Sequence, residues 1–350
     1  ARHYQSESRN SHKGNKMKLP IETANPLFGK YLYPEANSFR VRQQDITWTA
    51  EEISVDKDIP DYRVNMSTDQ FNLVSTTLQT FVEIEQKVGD VWEQISSWFP
   101  HSEIEGCCIE IARMEKAVHA FFYQKMSDVL NIDPEETAKK QQAIRQLKEK
   151  LDFLQTITAN LGANKPLGLA TVALIEQVLL FSNFAMLKSF QANGHNLIPN
   201  TITGVEFVTN DEVIHGEFAS YLFRTMLQED TSNTYDRTQL KSAILLVVNE
   251  VVRHESDMID YSYGSATIIN DITPQHLKSF IMSRANKVLE MLGYEAIYQI
   301  TENPIAAWFY KETSGIQMHD FFASNTSQYR RSWDLEGFSR LPHIKGATHE

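Results

Sequence analysis

Apolar residues recur at helical spacing along most of this chain. Val74, Leu78, Phe81, Val88 and Trp92 fall at steps of three and four, and Glu85 occupies the one gap in that stripe. The same periodicity predicts helices over 67–99, 102–130, 134–161, 166–192, 201–228, 236–265 and 273–295. The breaks between them, "FPHSE", "NIDPEE", "LGANKP", "NGHNLIPN" and "QEDTSNTYD", carry the Gly, Pro, Asn and Asp that punctuate helices. Asp133-Pro134 and Thr273-Pro274 read as helix starts, a capping side chain followed by proline in the first turn. No strand alternation of any length appears, and no repeat of 20–50 residues. The pattern predicts an all-α protein.

From Leu167 to Leu187 the only charge is Glu176, and the length approaches the ~20 residues that cross a bilayer. A central carboxylate is costly in lipid, so the segment reads as a helix buried in protein, and no membrane is expected. The first sixteen residues are polar, and Met17 is a candidate native start. They belong to an expected arm, 1–37, part of it disordered. After about Ser314 the periodicity fades into a polar tail with scattered aromatics, placed at 313–350; the folded body is 38–312.

Composition narrows the function. With 42% hydrophobic residues the chain can bury a large core, and its net charge of −12 argues against a grip on nucleic acid. Cys107 and Cys108 are adjacent and make no disulfide framework, which suits a reducing, cytoplasmic setting. Within the helices, carboxylates and histidines sit among apolar residues. Glu115 and His119 are four apart in "ARMEKAVHAFFY", and Glu212 and His215 are three apart in "NDEVIH", so each pair shares a helix face. Glu176 interrupts the most apolar helix, where a buried carboxylate needs a partner. A fourth helix offers Glu83 or Glu85; the apolar stripe turns Glu85 inward. Four carboxylates and two imidazoles on four helices match the ligand set of a carboxylate-bridged two-metal site in a bundle, and hard oxygen with imidazole suits iron or manganese. The bland alternative pairs Glu83 and Glu176 with Lys or Arg across the core. A further pair, Glu250 and His254, lies in a more polar run and reads as a solvated or interhelix face.

From about Trp48 to Tyr329 the chain resembles the radical-generating small (beta) subunit of class I ribonucleotide reductase. "WTAEEISVDKD", "QTFVEIEQ", "EQVLLFSNFA", "NDEVIH", "ENPIAAWF" and "HDFFASNTSQY" follow that family's stretches in order and spacing. The resemblance implies a homodimeric ferritin-like bundle with additional helices. Its ligands would be Glu83, Glu115, His119, Glu176, Glu212 and His215 around a dinuclear centre (Fe/Fe, Mn/Mn or Mn/Fe), activated by an oxygen-derived oxidant. On this point resemblance and stripe disagree: the first names Glu83, the second Glu85. The resemblance also implies a radical on Tyr123 within walls of Phe122, Leu180, Phe184 and Val208. A relay through His119, Asp211 and Trp48, then Tyr329, would lead to a large catalytic subunit held by the tail, with a flavoprotein activator as a further partner.

One feature departs from the family. It commonly has two residues between Glu and His, whereas here Lys116, Ala117 and Val118 stand between Glu115 and His119. A π-turn could absorb the extra residue, leaving Glu115 a ligand and Lys116 reaching outward to water. Alternatively, Lys116 takes the ligand position in a metal-free protein with a modified Tyr123. A ligand-binding oxidase of the same fold would keep the metal residues but need neither relay nor tail.

Overall fold

The computed structural model describes residues 18–27 and 29–310. Among them every long element is a helix, and no β-strand occurs. The α-helices are α1 (Pro34–Asp45), α2 (Thr68–Ser96), α3 (Ser102–Met114), α4 (Ala120–Val129), α5 (Pro134–Ala143), α6 (Arg145–Thr158), α7 (Lys165–Leu174), α8 (Phe181–Lys188), α9 (Pro199–Glu229), α10 (Arg237–Tyr263) and α11 (Pro274–Met291). Two rods are interrupted by π-turns: Glu115–His119 joins α3 to α4, and Ile175–Leu179 joins α7 to α8. The core lies between α2, the α3/α4 rod, the α7/α8 rod and α9, with α10 and α11 packed outside.

Local chemistry fixes the ends of these helices. Ser67 and Gln70 cap α2 reciprocally, and Asp133 and Thr273 cap α5 and α11 at the expected prolines. The start of α9, which carries four of the candidate residues, is held from outside the helix. Ile198 adopts a left-handed φ of 49°, a strained conformation for a β-branched residue. Asp61 accepts its N–H at 2.7 Å, and Asp58 accepts the N–H of Thr201 at 2.6 Å, so two carboxylates satisfy the orphan donors of that terminus.

Two predicted boundaries change. The 134–161 helix is two helices, broken at Ile144, whose backbone is extended (φ −88°, ψ 113°). Helix α5 buries no residue fully, so no core stripe compels it to continue the axis of α6. Helix α1 was not legible because only Ala36, Phe39 and Gln43 face inward, too thin and polar a pattern to stand out. The α7/α8 rod is long and apolar enough to cross a membrane, yet its most apolar window is wholly buried within the bundle.

One compact unit extends to Phe309. The described part of the N-terminal arm belongs to it. Ile21 is fully buried, Glu229 accepts the N–H of Ile21 and the hydroxyl of Tyr33, and Glu103 accepts the N–H groups of Leu32 and Tyr33 at 2.8 Å each.

Candidate metal centre

Six side chains converge in the core: Glu85 from α2, Glu115 and His119 from the first π-turn, Glu176 from the second, and Glu212 and His215 from α9. All are completely buried. One ligand atom from each of Glu85, Glu115, His119 and Glu212 lies within 4.8 Å of the others, and the same holds for Glu115, Glu176, Glu212 and His215. Glu115 and Glu212 belong to both groups. That is the arrangement of two adjoining cation positions with two shared carboxylates.

The two imidazoles compensate the four carboxylates only in part. His119 Nδ1 stands 3.2 Å from Glu212 Oε1, and His215 Nδ1 stands 2.8 Å from Glu115 Oε1. Even so, Glu85 Oε1, Glu176 Oε2, both oxygens of Glu115 and Glu212, and both ring nitrogens of His215 make no hydrogen bond. Burial, followed by repulsion from neighbouring carboxylates, pushes Glu85, Glu176 and Glu212 well above the usual carboxylate range. Burial alone would raise Glu115 too, but the His119 imidazole holds it low. Four converging carboxylates with orphaned oxygens are costly without positive charge at their centre. Two divalent cations fit the donor set, and oxygen-rich ligation with one imidazole per position suits iron or manganese.

The extra residue between Glu115 and His119 is taken up by the π-turn, as the first alternative required. Lys116 points away from the cluster. Its ammonium meets Asp90 and Glu93 at 2.7 Å each near the surface, and burial is too slight to prevent their raising its pKa. The lysine stem crosses α2 at Gly89, where an added Cβ would come within 2.6 Å of Lys116 Cγ and 3.2 Å of Glu115 Cβ.

Glu83 requires a correction. It is exposed on the outer side of α2, in a groove with Lys87, Lys148 and Asp152, and Glu85 occupies the cluster. Two residues along a helix are about 200° apart, so only one of the pair can face inward, and the apolar stripe selects Glu85. Nor, among the described residues, does a cluster carboxylate pair with a lysine or arginine. The buried Lys150 instead pairs with Glu255 at 2.6 Å, between α6 and α10. His254 stacks on Phe153, again between α6 and α10, as an interhelix residue should.

Around the cluster lie an aromatic residue and a polar chain. Tyr123 is fully buried, its hydroxyl makes no hydrogen bond, and its ring stacks on Phe81 at 4.3 Å. Burial and then Glu85 push its phenol well above the ordinary value. Phe122, Leu180, Phe184 and Val208 are all fully buried; Phe122 lies 5.1 Å from the Tyr123 ring, and Phe184 stacks on Phe81. On the other side of His119, Nε2 meets Asp211 Oδ2 at 2.9 Å, and the same oxygen accepts Trp48 Nε1–H at 2.8 Å. Gln43 donates to Asp211 Oδ1 at 2.6 Å.

Residues 28–304 match the profile of a family described as ribonucleotide reductase, small chain. The chain belongs to that family. A probable ribonucleoside-diphosphate reductase small subunit of Invertebrate iridescent virus 3 is 22% identical over 323 residues, spanning 87% of this chain and 84% of that protein. A ribonucleoside-diphosphate reductase subunit beta of Mycobacterium tuberculosis is 25% identical over 289 residues, spanning 81% of this chain and 85% of its own length. The fold is that of Streptococcus sanguinis dimanganese(II)-NrdF, with a TM-score of 0.70 at 19% identity, covering 81% of this chain and 98% of that one. It is also that of a ribonucleotide reductase homodimer from Saccharomyces cerevisiae, with a TM-score of 0.68 at 19% identity, covering 85% and 93%. The ferritin-like class expected from the sequence therefore stands, and the chain is a small subunit of this family of oxidoreductases.

Within that small-subunit frame, the structure brings together Glu115, His119, Glu176, Glu212, His215, Asp211, Trp48 and Tyr123. Tyr329 and the tail lie outside the described residues. Gln43, Phe81 and Trp92 were missed as site residues. Phe81 and Trp92 stand in the same stripe as Glu85, which could have found them; Gln43 sits on the helix whose pattern was too thin to read.

Proposed function

We propose that the chain generates and stores a one-electron oxidising equivalent for a separate large subunit that reduces ribonucleotides to deoxyribonucleotides. The observation that supports this best is the buried six-residue cluster with its orphaned oxygens, next to a buried tyrosine whose hydroxyl has no partner. Glu85, Glu115, His119, Glu176, Glu212 and His215 would hold two iron or manganese ions, in any of the Fe/Fe, Mn/Mn or Mn/Fe combinations. When bound and oxidised by an oxygen-derived oxidant, these ions would supply the capacity to remove an electron from Tyr123.

The chain's own residues account for the rest. Tyr123 would give its electron to the oxidised ions and its phenolic proton to a cluster carboxylate, Glu85 being the one whose charge weighs most on the phenol; Phe81, Phe122 and Phe184 pack around the ring site and would keep water from a radical there. Asp211 holds the His119 ring by Nε2 and leaves Nδ1 for the cluster, fixing the tautomer. Trp48, buried and sharing the same Asp211 oxygen, would carry the path on from His119. Tyr329 and the tail would complete that path and hold the partner. Homodimer formation, a flavoprotein activator and a cytoplasmic setting belong to this reading.

The outward Lys116 argues against the metal-free alternative, because the lysine it needs is absent from the cluster. The paired Trp48 and Asp211 favour a reductase subunit over a ligand-binding oxidase. Elemental mass spectrometry after loading with iron or manganese tests the proposal: about two ions per chain are expected from the two-position geometry. Loaded Tyr123→Phe should keep its metal and lose the tyrosyl radical signal in electron paramagnetic resonance. Metal-free folded protein, or a radical signal unchanged in Tyr123→Phe, overturns it.

A further inference from the structure

The two halves of the cluster are braced differently. On the His119 half, the brace is an anion, Asp211, behind the imidazole. On the His215 half, the imidazole's far nitrogen has no partner, and the support falls on the carboxylate. Trp92 Nε1–H donates to Glu176 Oε1 at 2.5 Å. The indole comes from α2, seven residues beyond Glu85, so one helix contributes a ligand to one half and a brace to the other. Its ring is fully buried, stacks on Phe218 at 5.8 Å with an 18° tilt, and meets His215 edge-on at 6.5 Å. Phe218 is itself stacked against Tyr221 and packed on Phe39. The indole therefore has little freedom to turn its N–H elsewhere.

The consequence lies in which oxygen of Glu176 remains available. Oε1 is engaged by the indole and lies 3.9 Å from His215 Nδ1, whereas Oε2 is buried with no hydrogen-bond partner. A carboxylate with one oxygen held by a fixed donor offers the other as a single-oxygen ligand. Without the donor, both oxygens are free and the carboxylate can rotate within the wider π-turn that carries it.

We propose that Trp92 is a positioning residue that holds Glu176 as a one-oxygen ligand and so distinguishes the His215-side metal position from the His119-side one. This rests on the two-metal reading above. Outer-shell partners of this kind govern affinity at the ligand they orient, by roughly 10–100-fold.

The test is a titration of metal-free full-length protein with Mn(II) for affinity and Co(II) for the visible spectrum, which reports ligand number. In the parent, two binding events are expected. In Trp92→Phe, one of the two should weaken about 10–100-fold while the other is unchanged. The cobalt bands of that position should weaken as a second oxygen joins. Trp92→His, which retains a ring N–H, should restore part of the parental spectrum, which a packing role alone would not do. If Trp92→Phe does not fold, Phe218→Leu loosens the indole without removing the N–H and should shift the same cobalt bands. Two unweakened events with the parental cobalt spectrum in the folded variant overturn the role of Trp92 and leave the two-metal reading standing. No metal uptake by the parent overturns both.

Discussion

Glu115 and Lys116 are neighbours in the chain that serve opposite environments. The glutamate is fully buried with an oxygen 2.8 Å from His215 Nδ1, and the lysine's ammonium lies 2.7 Å from both Asp90 and Glu93 near the surface. The π-turn makes this division possible, and it separates the effects of the two side chains. Lys116→Ala should leave metal content unchanged and cost at most about 1 kcal/mol, since its partners are well exposed and the pairs are screened. Glu115→Ala removes a carboxylate shared by both positions and should abolish tight binding of at least one ion. Elemental analysis and thermal unfolding of the two variants check both outcomes; metal loss in Lys116→Ala would return the lysine to the site.

Glu85 and Glu83 give a second contrast. Glu85→Ala should lose the ion on the His119 side, whereas Glu83→Ala, altering an exposed side chain, should bind the parental amount and shift stability by no more than about 0.5 kcal/mol. Metal counting by mass spectrometry decides between them, and normal loading of Glu85→Ala would sink the assignment.

This contrast shows what was legible in the sequence. The steps of three and four through Val74, Leu78, Phe81, Val88 and Trp92 already turned Glu85 inward, because burial enforces a helix period that short motif likeness does not. The motif likeness displaced the ligand by two residues. Six of the seven predicted helical segments appear with small shifts, since caps and apolar stripes are local signals. The split at Ile144 and helix α1 were hidden because neither is decided locally: α5 packs without a buried face, and α1 presents a polar Gln43 to a distant Asp211. The hydrogen bond from Trp92 to Glu176 joins residues 84 positions apart and has no local signature.

Trp48 and Asp211 allow relay and metal support to be separated. Trp48→Phe keeps an aromatic ring but cannot donate to Asp211, so the loaded variant should retain its metals and its Tyr123 radical while losing turnover with the large subunit. Asp211→Asn removes the anion behind His119 and should cost roughly 10–100-fold in metal affinity as well. Measuring metal content, radical yield and turnover on the same samples distinguishes the two. Full turnover in Trp48→Phe would remove Trp48 from the path.

Glu103 offers a pH test away from the metals. Its carboxylate accepts the N–H groups of Leu32 and Tyr33, tying the N-terminal arm to α3. Burial opposes ionisation, but those backbone donors outweigh it and hold the pKa below the ordinary 4.5. A depressed pKa means the ionised form is favoured by folding. The stabilisation is thus fully present above the unfolded value and is lost as pH falls through the folded one. Glu103→Gln should be less stable than the parent by about 2 kcal/mol at neutral pH, the scale for hydrogen bonds to a buried charge. The gap should narrow below pH 4.5. Denaturant unfolding of both proteins across that range measures it, and a gap that stays constant on acidification would show that the arm is held by packing and not by the Glu103 charge.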